Sequence, residues 1–133
     1  MLCILKYKAS GGEEYFVSYE SKDKKVLYGF CRLRLPQIER RANAERTRKI
    51  VEPEFIVEAA LIRELHVYGE LVSVGDKKKT QHAGLGKRLL KEAEKIAEEN
   101  KFDKIAVISG VGVRDYYRKN GYRLENTYMV KKI

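Results

Sequence analysis

The sequence predicts an α/β or α+β domain built on a mixed sheet. Three observations carry this. Runs rich in Tyr, Phe, Val and Leu, separated by turn residues, fill the first third of the chain. One long stretch, Gly84 to Asn100, has helical periodicity. A strand, a short helix and a hairpin follow it, so strands come first and helices alternate with strands afterwards.

Each element follows from its residues. Leu2 to Lys8 reads as a short strand, and Glu14 to Tyr19 as its hairpin partner across the turn Ser10-Gly11-Gly12. Val26 to Leu35 is a third strand. Its tail, Arg32-Leu33-Arg34-Leu35, alternates apolar and charged residues, which gives one buried and one solvated face, and Pro36 ends it. Phe55 to Tyr68 carries the fourth strand, strongest over Ala60 to Tyr68. Gly69 interrupts it, Glu70 to Val74 extends it briefly, and Gly75 to Thr80 is a lysine-bearing loop. Leu85, Leu89, Ala93, Ile96 and Ala97 form one apolar stripe opposite a Lys/Glu face, so this segment is an amphipathic helix. Lys104 to Ser109 contains the run Ile-Ala-Val-Ile of a buried strand. Arg114 to Asn120 is a short helix, with Gly121 placed to end it. Tyr122 to Leu124 and Tyr128 to Lys132 form a last hairpin around Glu125-Asn126-Thr127.

A chain of 133 residues with 44% hydrophobic and 35% charged residues fits one domain with a real core. Lys and Arg exceed Asp and Glu by nine, which favours an anionic partner. Cys3 and Cys31 are too few for a disulfide scaffold, and His66 and His82 have no acidic or cysteine cluster at ligand spacing, so no metal site is expected. No apolar run reaches the ~20 residues of a membrane span, and the N-terminus lacks signal-peptide organisation. A cytoplasmic, reducing setting without a membrane partner is the expectation.

Between Arg32 and Lys49 seven basic residues (Arg32, Arg34, Arg40, Arg41, Arg46, Arg48 and Lys49) face only Glu39 and Glu45. Two readings stand side by side: a solvated polar loop or helix, and a patch against a phosphate backbone. Lys77, Lys78 and Lys79 add a second basic run.

The segment Gln81-His82-Ala83-Gly84-Leu85-Gly86-Lys87 stands between a strand and the long helix. Its glycines allow close approach to the backbone, and the first helical turn aims unpaired N–H groups and a positive dipole end outward. That arrangement suits a pyrophosphate. Two other glycine loops do not fit. Leu89 stands where a dinucleotide fingerprint needs Gly or Ala, and Gln81 and Arg88 stand where a nucleoside triphosphate loop needs Gly and Ser or Thr.

Gln-x-x-Gly-x-Gly at a helix start resembles motif A of the GNAT acetyltransferase superfamily, and Tyr117-Arg118-Lys119-Asn120-Gly121-Tyr122 resembles its Tyr-x-x-x-Gly-Tyr signature. The resemblance implies a GNAT-like, mostly antiparallel sheet flanked by helices. It narrows further. Arg63 to Gly69, Gln81 to Gly86, Ile105 to Gly112, Tyr116 to Leu124 and Tyr128-Met129-Val130-Lys131 resemble the C-terminal acetyltransferase domain of the Elongator catalytic subunit family. So do Ala9 to Gly12 with Glu14-Tyr15-Phe16, and Leu27 to Phe30 with Arg32 to Leu35.

This second resemblance implies a domain that supplies acetyl-CoA to a tRNA-modifying enzyme. That enzyme forms the carboxymethyl group on carbon 5 of the wobble uridine. It implies a radical SAM domain as partner, which would hold S-adenosylmethionine and a 4Fe–4S cluster. The chain has no three-cysteine cluster motif, so residues 1–133 are expected to be one acetyltransferase domain, a fragment of a longer radical SAM–acetyltransferase protein. Homodimerisation is left open. The hairpin Leu2 to Tyr19 leaves no room for the helices a general GNAT domain carries there, and Gln37 to Glu58 is expected to cover the substrate side instead.

Leu85, Gly86 and Lys87 are the expected pyrophosphate cradle, with Gln81 and Gly84 shaping the turn. The resemblance implies that Glu64, Leu65, His66 and Val67 pair through their backbone with the pantetheine arm. It gives Tyr117 the role of protonating the departing thiolate, a role a phenol can fill. Tyr117 is also counted with the cofactor contacts. Tyr116 is set aside, because adjacent helical residues do not share a face. Glu64 and His66 are candidates for polarising a water or holding the acetyl group, and a structural hydrogen bond is the alternative for each. Cys31 reads as a small core residue. Arg32, Arg34, Arg40, Arg41, Arg46, Arg48, Lys49 and Lys77 to Lys79 are the expected tRNA contacts. Two alternatives remain: a protein or histone lysine N-acetyltransferase with Glu64 as base, and a non-catalytic RNA-binding module with a vestigial cofactor site.

Overall fold

The computed structural model describes residues 1–9, 11–36, 59–68 and 84–133. Its elements, in chain order, are β1 (Leu2–Ala9), β2 (Gly12–Glu20), β3 (Leu27–Pro36), β4 (Ala60–Val67), α1 (Leu85–Glu99), β5 (Lys104–Ile108), a 3₁₀ turn (Val111–Val113), α2 (Arg114–Lys119), β6 (Arg123–Glu125) and β7 (Tyr128–Lys132). They match the sequence reading closely, and the 3₁₀ turn is the element it lacked. The expected extension Glu70 to Val74, the loop Gly75 to Thr80 and the segment Gln37 to Glu58 lie outside the described residues.

The seven strands form one sheet in the order β1-β2-β3-β4-β5-β7-β6. Every neighbouring pair is antiparallel except β4 and β5, which are parallel. α1 lies between β4 and β5 in sequence, as a parallel crossover requires.

Alternation decides which face of the sheet is covered. Tyr15, Val17, Cys31, Leu33, Leu35 and Ile62 point to one face and are buried with Leu85, Leu89, Leu90, Ala93, Ile96 and Ala97 of α1. Every residue of the stripe expected from the sequence is buried, because a sheet face and a helix stripe can only leave water together. Tyr117 of α2 and Tyr122 join the same core. The opposite face of β2, β3 and β4 carries Glu14, Phe16, Phe30, Arg32, Arg34, Glu64 and His66, as the strand register requires.

The turn after α2 behaves as expected. Gly121 adopts φ +93°, and its N–H donates to the Arg118 carbonyl. Tyr122 is then locked by donating its hydroxyl to Glu94 at 2.8 Å, and Lys131 donates to the same carboxylate at 2.9 Å.

Candidate functional site

The sheet opens between β4 and β5. Their pairing covers only Ala60/Ile105, Leu61/Ala106 and Ile62/Val107. β4 runs on to Val67, so its edge from Arg63 to Val67 has no partner strand on that side among the described residues. A bulge adjoins the opening. β3 skips Arg63, pairing Arg32 with Glu64 and Leu33 with Ile62. Such a bulge bends and re-aims a strand. The result is a row of main-chain donors and acceptors at Glu64, Leu65, His66 and Val67 without a strand partner among the described residues, and these are the residues expected to take a ligand by strand addition.

The N-terminus of α1 stands beside this edge. Gly84 caps it at φ +75°, a conformation that costs an L-residue about 1–2 kcal/mol. Gly84 has no side chain to cap the helix, and no acidic residue occupies its first turn. Among the described residues no carboxylate or hydroxyl therefore satisfies the amides that open α1. Leu85 and Gly86 are buried, while Lys87 is exposed. A methyl group on Gly86 would collide with the Tyr116 hydroxyl and lie 3.5 Å from Val67 Cγ2. Helix mouth, strand edge and Tyr116 thus meet at one residue, and only glycine leaves the space between them.

Tyr116 is a residue the sequence reading set aside. Its premise holds: Tyr117 is 6% exposed and faces the core, while Tyr116 is 39% exposed and faces outward. Outward, however, places the Tyr116 phenol at the cradle. The two rings meet edge to face at 5.4 Å. Burial, with smaller contributions from Cys31 and Tyr116, pushes the Tyr117 phenol up to about 12. It is protonated at neutral pH and so holds a proton to donate. Burial also pushes Cys31 up to about 12, which makes that thiol inert, as expected of a core cysteine.

Two further polar atoms, on the elements that follow β5, are unsatisfied. Ser109 Oγ, just past β5, and Arg114 Nε, at the start of α2, are buried without a hydrogen-bond partner. Such groups are costly unless something pairs with them. The buried run of β5 ends at Val107, and Ile108, expected inside it, is exposed.

Alternation separates the candidate residues. Val67 turns toward α1, whereas Glu64 and His66 point to the opposite face. Glu64 accepts from Arg32 at 3.4 Å, and His66 stacks on Phe30 with centroids 5.9 Å apart. Tyr117 lies on α1's side of the sheet. The structure therefore does not gather Tyr117, Glu64 and His66 into one cluster; the gap between β4 and β5 separates them. Arg32 and Arg34, expected against RNA phosphates, are ion-paired. Glu14, 5% exposed, accepts from Arg63 at 3.2 Å and Arg34 at 3.4 Å, and Arg32 lies 3.9 Å away. Burial opposes its charge, but hydrogen bonds from Tyr7 and Arg63 and the charges of Arg32 and Arg63 hold its carboxyl below the usual range. Gln81, His82, Arg40, Arg41, Arg46, Arg48, Lys49 and Lys77 to Lys79 lie outside the described residues. Among the described residues no group of three metal-ligating side chains occurs, and no helix is long and apolar enough to cross a membrane.

A sheet that splays around a glycine-mouthed helix is the architecture of the GNAT acetyltransferases. The crystal structure of Tetrahymena GCN5 superposes with a TM-score of 0.58 over 90% of this chain and 68% of its own, at 14% identity, which speaks to the fold alone. No protein-family model matches the chain.

The particular homology is closer. Nearly the whole chain, 96%, is 48% identical over 130 residues to Elongator complex protein 3 of Bos taurus. It is 42% identical over 132 residues, 97% of the chain, to the tRNA uridine(34) acetyltransferase of Dehalococcoides mccartyi. The solved structure of archaeal Methanocaldococcus infernus Elp3 with an N-terminal deletion matches the full chain with a TM-score of 0.78 and 39% identity. The chain spans 22% and 27% of those two curated relatives and 30% of that solved chain.

Proposed function

We propose that the chain is the acetyl-CoA-binding acyltransferase domain of a tRNA-modifying enzyme. Its proposed product is the carboxymethyl group on carbon 5 of the wobble uridine, with acetyl-CoA cleavage dependent on tRNA. The radical SAM domain, its S-adenosylmethionine and its 4Fe–4S cluster are assigned to protein outside these residues. The observation that carries the cofactor reading is the coincidence of two main-chain arrays that have no partner among the described residues. The mouth of α1 adjoins the edge of β4 that β5 leaves open, and Gly86 lies between them. The homology to a tRNA uridine(34) acetyltransferase supports the tRNA reading.

The residues present fit acetyl-CoA. Leu85, Gly86 and Lys87 would hold the diphosphate through their amides, helped by the helix dipole and the Lys87 charge. The backbone of Glu64 to Val67 would pair with the amide-bearing pantetheine arm, as an added strand would. Ser109 Oγ is a free buried donor at the end of β5. Acetyl-CoA supplies an acetyl group activated as a thioester, whose transfer or cleavage expels a thiolate. Tyr117, protonated up to about pH 12, holds a proton on its hydroxyl that it can donate to such a leaving group. Tyr116 screens the mouth of the cleft from its exposed side.

The test is a thermal-shift titration with acetyl-CoA, desulfo-CoA and tRNA. A cofactor bound only by the folded chain raises the midpoint. An unchanged midpoint with both coenzymes removes the cofactor site; a shift with coenzyme but none with tRNA removes the RNA role. A lysine N-acetyltransferase, the second reading, is separated by supplying labelled acetyl-CoA with peptides or tRNA. Against it stands Glu64, the expected base, which is already engaged by Arg32.

A further inference from the structure

A buried polar cluster next to Tyr117 has no part in holding the cofactor. Tyr122 is 3% exposed, and its hydroxyl donates to Glu94 of α1 at 2.8 Å. Lys131 of β7 donates to the other oxygen of that carboxylate at 2.9 Å. The same ammonium lies 5.6 Å from the centre of the Tyr122 ring. The Lys131 stem packs on the turn, where a Cβ on Gly121 would meet Lys131 Cε at 3.2 Å. α1, β7 and the turn after α2 thus converge on one phenol.

Tyr117 is the neighbour that this cluster holds. The Tyr117 and Tyr122 rings meet edge to face, with centroids 5.7 Å apart and planes at 70°. The main chain ties them as well, since the Tyr122 N–H donates to the Tyr117 carbonyl at 3.0 Å. Tyr122 is therefore fixed at both ends, by its backbone to α2 and by its hydroxyl to α1. A phenylalanine would fill the same space and keep the edge-to-face contact. What the hydroxyl adds is direction. Paired with an ammonium, the Glu94 carboxylate only accepts, so the Tyr122 hydroxyl must donate to it. Burial, then the charge of Glu94, pushes the Tyr122 phenol above the ordinary tyrosine range, which keeps it a neutral donor. A polar network satisfied in this way rigidifies its surroundings and selects one arrangement of the core.

We propose that Tyr122, Glu94 and Lys131 are positioning residues that hold the Tyr117 ring where its hydroxyl meets the departing thiolate. The inference rests on the role proposed above for Tyr117. α1 then serves the reaction twice. Its first turn takes the diphosphate, and Glu94, farther along the helix, sets the proton donor.

The experiment uses the full chain with acetyl-CoA and tRNA. We expect Tyr122→Phe and Glu94→Leu each to slow thiol release about tenfold at saturating acetyl-CoA, with the dissociation constant of acetyl-CoA unchanged. Glu94→Gln keeps an acceptor for the Tyr122 hydroxyl and should recover most of the rate. In a Tyr117→Phe background, Tyr122→Phe should cost nothing further, because both act through one proton. A second readout needs no turnover. With ring-labelled tyrosines, the Tyr117 signals are assigned by their loss in Tyr117→Phe. That ring should flip faster in Tyr122→Phe and Glu94→Leu than in the parent and Glu94→Gln. An unchanged flip rate in Tyr122→Phe overturns the positioning role. So does a Tyr122→Phe loss that persists undiminished beside Tyr117→Phe, or one that appears in affinity instead of rate. If the parent releases no thiol, the flip rates decide alone. Tyr117→Phe releasing thiol at the parent rate is a separate failure, because it removes the acid reading on which the inference rests.

Discussion

The phenol oxygen of Tyr116 lies so near the position a Cβ on Gly86 would take that the two would clash. One contact thereby ties α2 to the mouth of α1 and to Val67 at the free end of β4. It also makes the glycine a spatial requirement rather than a conformational one. Gly86→Ala should push the Tyr116 ring aside and narrow the cleft. Because the colliding atom ends a flexible side chain, the fold should survive with a loss under about 1 kcal/mol. Acetyl-CoA affinity by calorimetry should fall, and an added Tyr116→Ala should recover part of it.

Lys87 separates stability from binding. A carboxylate in the first turn of a helix is stabilising by about 0.3–1 kcal/mol, because it meets the positive dipole end. No acidic residue stands there now. Lys87→Glu should therefore raise the thermal midpoint of the free chain while weakening acetyl-CoA binding. A substitution that weakened both would point to a structural role for Lys87.

Tyr117→Phe should leave acetyl-CoA affinity intact and slow thiol release about a hundredfold, within the range of a lost general acid. The acid is active when protonated. With the Tyr117 phenol pushed up to about 12 by burial, the tyrosine should impose no loss of rate between pH 7 and 10. A decline in that window that disappears in Tyr117→Phe would contradict the assignment.

Glu14 anchors the arginine cluster, and its replacement tests that role. Glu14→Gln should cost about 1–3 kcal/mol, because three guanidinium groups lose the negative charge they share. Its carboxyl is held below the usual range in the folded chain. The stability it contributes is therefore complete above the ordinary carboxylate range and is lost as pH falls through that range toward the lowered folded value. The parent should show this acid-side loss in denaturant titrations, and Glu14→Gln should show less of it.

The buried stripe gives a plain packing control. Leu89 is fully buried between α1 and the sheet, so Leu89→Ala should cost about 2–5 kcal/mol by denaturant unfolding.

Much of the fold was legible in the residues. The stripe Leu85, Leu89, Ala93, Ile96 and Ala97 predicted α1 because burial follows helical period, and Arg32 to Leu35 predicted a two-faced strand because side chains alternate. The glycine mouth at Gly84 was legible for the same reason: few residue types fit that backbone. What local pattern could not reveal was convergence. Tyr116 reads as the outward neighbour of a core tyrosine, and only its approach to Gly86 of α1 shows what outward means. Arg32 and Arg34 read as free positive charge, because their partner Glu14 lies on another strand and appears only once register is known. The stack of His66 on Phe30 is hidden the same way, because the two are far apart in the chain and become neighbours through the pairing of β3 with β4.

The central claim is that the amides of Leu85, Gly86 and Lys87 grip the diphosphate of coenzyme A while the β4 edge pairs with its pantetheine arm. Backbone amide resonances followed through a titration with acetyl-CoA test this most directly, with adenosine 3′,5′-bisphosphate as a probe lacking pantetheine. The account predicts large shifts at residues 85–87 and 64–67 with acetyl-CoA, and no shifts at 64–67 with the bisphosphate. Saturable binding with the amides of 85–87 unmoved would contradict it.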